Sequence, residues 1–321
     1  MPATDPRWDP EMLAFQTWAE TEAAKLPPIR LEPPMDEARL INDAIGLRLA
    51  QGGAAMAEST DRWLPVRGRR LLCRFHRPAG AAGVLPVLVY LHGGGWVWGS
   101  VDTHDRVMRE YAAQAGCAVV GVDYALSPEA TFPQALEECA AVIRWLAAHG
   151  AEWDLDPSRI AVGGDSAGAN LAMGAALLLR ETDRALRLTG LLLHYGVFDA
   201  DTDTPSYREF ADGYFLTREK MRFYWRCYAP READRLNPLA CPLRADLRGL
   251  PPVFLHAAEL DVLASENHAM AVRLREAGVP VEFEVLQGAA HGCIRALGQV
   301  GVARWSVERA AEWLARSGRS G

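Results

Sequence analysis

The sequence predicts an α/β architecture: a mostly parallel, doubly wound sheet with helices on both faces and an additional helical cap. Three observations carry this. Short apolar strand candidates alternate with helix-length stretches along most of the 321 residues. A serine flanked by glycines, Gly164-Asp165-Ser166-Ala167-Gly168, falls where a strand candidate gives way to a helix candidate. A triple glycine, Gly93-Gly94-Gly95, falls directly after another strand candidate.

In chain order, apolar runs bounded by turn residues predict strands over 71–76, 85–91, 118–124, 160–163, 188–194, 253–257 and 281–286. Between them, helices are predicted over 106–115, 133–149, 169–181, 267–277 and 302–316. Two segments break the alternation. Residues 1–53 carry Trp8, Phe15 and Trp18 and then a proline-rich stretch, and residues 199–238 hold an aromatic density well above the rest of the chain. Both read as a helical subdomain, its aromatics mostly core and a minority facing a ligand. No repeat or low-complexity tract is evident.

The chemistry-bearing motifs sit at strand ends. A serine on a sharp strand-to-helix turn needs glycine neighbours, because a Cβ there would collide with the adjoining strand and helix. Such a turn presents the Ser166 hydroxyl beside the first N–H groups of a helix, where negative charge is favoured. His92-Gly93-Gly94-Gly95-Trp96 reads as a loop whose bare N–H groups can approach an oxyanion. A phosphate loop is disfavoured, since GxxxxGK[ST] is absent and Lys25 and Lys220 are the only lysines. Further along, Asp261 ends an apolar strand candidate and His291 lies in the loop after the last one, giving the order serine, acid, histidine. His104, His194 and His256 read as turn or buried histidines, and His92 as a loop-shaping residue.

Together these stretches resemble the hormone-sensitive-lipase-like branch of the α/β-hydrolase carboxylesterases, close to bacterial acetyl esterases. The resemblance rests on HGGGW at 92–96, DYALSPEATFPQALEE at 123–138, GDSAGAN at 164–170, AELDVL at 258–263 and AAHG at 289–292, and it covers most of the chain. It implies the α/β-hydrolase fold as a single domain over 1–321, with a cap from about 1–53 and about 199–238. It implies Ser166 as nucleophile, His291 as general base and acid, Asp261 as its orienting carboxylate, and the N–H groups of Gly94, Gly95 and Ala167 as oxyanion donors. Trp96, Asp165, Tyr195, Tyr214, Phe215 and Cys293 are the candidates for the substrate pocket. The expected activity is hydrolysis of short- to medium-chain acyl esters without a metal or organic cofactor. An amidase or arylformamidase, or a silent binder on the same scaffold, stays as an alternative. Two positions depart from the pattern: Ser265, where relatives often carry a second acid, and Cys293, where they tend to carry phenylalanine.

Composition limits the partners. A formal net charge of −7 and dispersed arginines leave no basic stripe for nucleic acid. No apolar run reaches the length of a membrane span, and the N-terminus lacks the basic start and apolar stretch of a signal peptide, so the cytoplasm is the expected location. The six cysteines lack CxxC spacing and read as buried small hydrophobes rather than disulfide or metal ligands. A small-molecule ester is the expected partner; a homodimer is compatible with the sequence, but nothing in it selects one.

Overall fold

The computed structural model describes residues 4–317, so the first three residues of the segment expected to contribute to a cap, and the last four of the expected 1–321 domain, lie outside the described residues. The chain opens with α1 (Pro10–Ala23) and α2 (Asp36–Leu49). Asp9 caps α1 by accepting from the Met12 N–H, and Pro10 occupies the first turn, where its missing N–H costs nothing.

An eight-stranded sheet follows: β1 (Met56–Val66), β2 (Arg69–Pro78), β3 (Leu85–Leu91), β4 (Ala118–Val122), β5 (Leu155–Asp165), β6 (Leu188–His194), β7 (Val253–Leu260) and β8 (Val281–Ala290). Its spatial order is β1-β2-β4-β3-β5-β6-β7-β8, antiparallel for β1 with β2 and β2 with β4 and parallel thereafter. The parallel strands read as continuous apolar runs because both faces are covered. β3 and β4, for example, are buried along nearly their whole length.

The connecting helices are α3 (Asp105–Ala115), α4 (Gln134–His149), α5 (Ala167–Thr182), α9 (Ala264–Glu276) and α10 (Gly301–Ser317). Within this set α4 packs on α5 and α10 on α3. Three short helices, α6 (Pro205–Glu209), α7 (Arg218–Tyr228) and α8 (Glu232–Arg235), fill the aromatic segment between β6 and β7.

β1 was not anticipated from the sequence. It is an edge strand whose polar residues Glu58, Ser59 and Asp61 face water, so no apolar run marks it, and its charges guard the open edge. The two irregular segments meet each other. Trp8 stacks on Tyr214 with centroids 5.5 Å apart, Phe15 meets Phe215 at 5.7 Å, and Gln16 donates to the Gly213 carbonyl. Most aromatics of the second segment are core: Tyr207, Phe210, Tyr214, Trp225 and Tyr228 are buried. All six cysteines are buried and free. Among the described residues no helix is long and apolar enough to cross a membrane.

Candidate active site

Parallel pairing puts the carboxyl ends of β3, β5, β7 and β8 on one sheet edge, and each chemistry-bearing residue follows one of these ends. His92 to Gly95 follow β3, Ser166 follows β5, Asp261 follows β7 and His291 follows β8.

Ser166 has φ 55° and ψ −119°, a conformation rare for a residue with a side chain. The surroundings enforce it. A Cβ on Gly164 would lie 2.2 Å from the Leu91 carbonyl oxygen, and one on Gly168 would lie 1.9 Å from the same atom. Thus both glycines of the motif are needed for α5 and β5 to press against the end of β3. Ser166 N–H donates to the His194 carbonyl, and Asn170, one turn into α5, donates its side-chain amide to the carbonyls of Val197 and Ala240.

The Ser166 Oγ is 2.8 Å from His291 Nε2, and His291 Nδ1 is 2.7 Å from Asp261 Oδ2. A carboxylate can only accept, which places the proton on Nδ1 and leaves Nε2 to accept from the serine hydroxyl. The other Asp261 oxygen accepts from the Leu263 N–H, and the Tyr195 ring packs edge-on against His291 with centroids 4.8 Å apart. Both orienting contacts are buried: Asp261 is 1% exposed and Tyr195 fully enclosed.

The triple-glycine loop is locked to the serine turn. Asp165 accepts from the Gly93 N–H and the Tyr90 hydroxyl, and a Cβ on Gly93 would lie 2.3 Å from its other oxygen. Burial opposes the charge on Asp165, but His104 and these donors outweigh it and hold the carboxyl well below its usual range. Gly94 has φ 124° and Gly95 φ 60°; Val97 and Trp98 both donate to the Gly94 carbonyl, closing the turn. Among the described residues the N–H groups of Gly94 and Gly95 meet no acceptor. Ala167 is the first residue of α5, where an N–H has no partner within the helix. His92 stacks on Tyr124 and bonds to the Gly93 carbonyl, and burial pulls its pKa down to about 3.

A cavity of about 460 Å³ opens onto His291 and Gly292, walled by Phe15, Ala19 and Ala23 of α1, Ile45, Gly46 and Leu49 of α2, and the 212–220 stretch. Of the six pocket candidates only Phe215 lines it. The others are placed elsewhere for identifiable reasons. Trp96 turns inward at φ 60° and stacks on Tyr228 at 4.2 Å. Asp165 is spent on the loop, as above. Tyr195 and Cys293 are fully enclosed, and burial pushes the Cys293 thiol up. Tyr214 stacks on Trp8 and donates to Asp5. Sequence reasoning missed the cavity residues Asn42, Gly46, Lys220 and Arg295; a glycine inside a helical stretch, the rarity of lysine and an arginine four residues after His291 were the available signals. Among the described residues no group of His, Cys, Asp and Glu is arranged to hold a metal ion.

A family model described as the alpha/beta hydrolase fold matches residues 88–295. An acetyl esterase of Salmonella schwarzengrund is 41% identical over 210 residues, which span 64% of this chain and 64% of that protein, a little under two thirds of the relative's length. Among solved structures, a thermostable esterase from Pseudomonas putida superposes with a TM-score of 0.91 at 33% identity, covering 99% of both chains. A thermophilic and thermostable carboxylesterase cloned from a metagenomic library superposes at 0.85 with 34% identity, covering 90% of this chain and 99% of that one. With its motifs, its strand order and these likenesses in agreement, the chain belongs to the α/β-hydrolase family, in the hormone-sensitive-lipase-like branch.

Proposed function

We propose that the chain is a serine carboxylesterase that hydrolyses short- to medium-chain acyl esters through an acyl-enzyme on Ser166. The observation that carries this reading is the continuous contact from Asp261 through His291 to Ser166 at 2.7 and 2.8 Å, next to N–H groups without acceptors. The esterase names of the relatives support the same reading.

In the reaction, His291 Nε2 takes the Ser166 proton as Oγ bonds to the ester carbonyl carbon. The carbonyl oxygen becomes an oxyanion held by the N–H groups of Gly94, Gly95 and Ala167, at the positive end of α5. Collapse breaks the C–O bond to the alcohol, which leaves with the proton from His291. Water then repeats the sequence on the acyl-enzyme, releasing the acid and restoring Ser166. Asp261 keeps the imidazole in its working tautomer throughout. α1, α2 and the 199–238 segment serve as the cap, and the 460 Å³ cavity they wall suits a small acyl or alcohol group.

The test is turnover of p-nitrophenyl esters from acetate to long chains by the wild type and by Ser166→Ala. The expected result is rapid hydrolysis of the short esters, a fall with chain length, and loss of at least about 10⁴-fold in the variant. A folded wild type that leaves every ester intact but cleaves the matching anilides would favour the amidase reading.

A further inference from the structure

Arg295 is a cavity residue that ester hydrolysis as such does not use. It lies on the short 3-10 turn Cys293–Ala296, four residues after His291, and lines the same cavity. Its Nε is buried without a hydrogen-bond partner, and among the described residues no carboxylate forms an ion pair with its guanidinium. Several other arginines of this chain are paired, for example Arg74 with Asp61 and Asp102 and Arg309 with Glu284 and Glu312.

The fold makes room for this side chain. Gly46, in the interior of α2, faces it, and a Cβ at that position would stand 2.3 Å from an Arg295 terminal nitrogen. Glycine inside a helix is destabilising relative to alanine, so α2 sacrifices local stability where the guanidinium passes. The remaining charges of the cavity are engaged among themselves. Lys220 donates to the Phe215 carbonyl and feels the charges of Asp212 and Glu20, while Glu20 also accepts from Gln16. The field of Arg295 reaches inward to Asp165, but that carboxylate already accepts from Tyr90 and Gly93 and stands beside His104. A cation beside His291 is thus left with no carboxylate in direct contact with its guanidinium.

Resting on the ester-hydrolase reading, we propose that Arg295 recognises a carboxylate on the substrate, so that the enzyme prefers esters bearing a second, anionic carboxyl group. The planar guanidinium matches a carboxylate with two parallel N–H donors, and the partly dehydrated wall strengthens that match. The carboxylate comes from either the alcohol or the acyl half of the ester.

Two matched pairs distinguish these sources: 4-acetoxybenzoate against its methyl ester, and mono-p-nitrophenyl glutarate against p-nitrophenyl pentanoate. The expected result is a higher kcat/KM for the anionic member of at least one pair, expressed mainly in KM. Arg295→Gln lowers the anionic-to-neutral ratio by about tenfold or more, and Arg295→Lys restores part of it. Calorimetric titration of Ser166→Ala with 4-acetoxybenzoate separates this proposal from the parent reading. Binding that disappears in Ser166→Ala/Arg295→Gln, from an enzyme that turns over no ester, would sink the esterase reading and leave the carboxylate subsite standing. A ratio and a binding constant both indifferent to Arg295→Gln overturn the subsite.

Discussion

At the level of single residues, the site is built by exclusion as much as by contact. Ser166 holds its strained angles because the Leu91 carbonyl leaves no room for a methyl group at Gly164 or Gly168. The contacts proposed to be catalytic then depend on orientation, and Asp261 is the residue through which orientation is tested most cleanly. Asp261→Asn keeps the shape and the bond to Leu263 but offers an amide donor to Nδ1, favouring the tautomer that cannot accept the serine proton. The expected outcome is a fall in kcat of about 10⁴-fold at neutral pH. Stopped assays on p-nitrophenyl acetate, with a thermal melt to verify folding, measure it. Asp165 is a positioning residue: it ties Gly93 to the serine turn, so the loop and the nucleophile move as one piece.

Among elements, two serines tie α6 to the start of α9. The Ser206 N–H donates to Ser265 Oγ, the Ser265 N–H donates to Ser206 Oγ, and the Ser206 hydroxyl donates to the Val262 carbonyl beside Asp261. Ser265, a departure from the family's pattern, therefore holds α6 from the first turn of α9, and Ser206 in return takes up one of the N–H groups of that turn. Ser206→Ala removes the hydroxyl from this exchange and should cost about 1–2 kcal/mol of unfolding free energy, read as a lower urea midpoint at unchanged slope. The parallel strands were legible in the sequence because burial on both faces leaves uninterrupted apolar runs, such as Leu85–Leu91. β1 was not, because a solvent-facing edge strand carries charges that mimic a loop. Ser166, His291 and Asp261 were legible because each sits in a short local motif. The pocket was not, because the side of a turn that a ring faces is decided by packing: Trp96 is drawn to Tyr228, and Phe215 to the cavity.

For the whole molecule, three buried histidines set the response to acid. His92, His194 and His256 are enclosed, and burial lowers all three, His92 to about 3. His194 bridges Tyr111 and His256 within the sheet. The folded protein keeps them neutral while the unfolded chain takes up protons near pH 6.5, so their contribution is whole above that pH and is lost progressively as pH falls from there toward the lowered folded values. Urea titrations at pH 7.5, 6.5 and 5.5 should show unfolding free energy declining toward acid, and His256→Gln should flatten the decline. The distribution of parts along the chain has a further effect. The residues proposed to break the ester lie within 88–295, whereas two of the cavity's walls, α1 and α2, lie upstream of that stretch. Grafting a relative's first fifty-odd positions onto this body would exchange selectivity while sparing reactivity, so the two properties can drift independently and be recombined like separate cassettes.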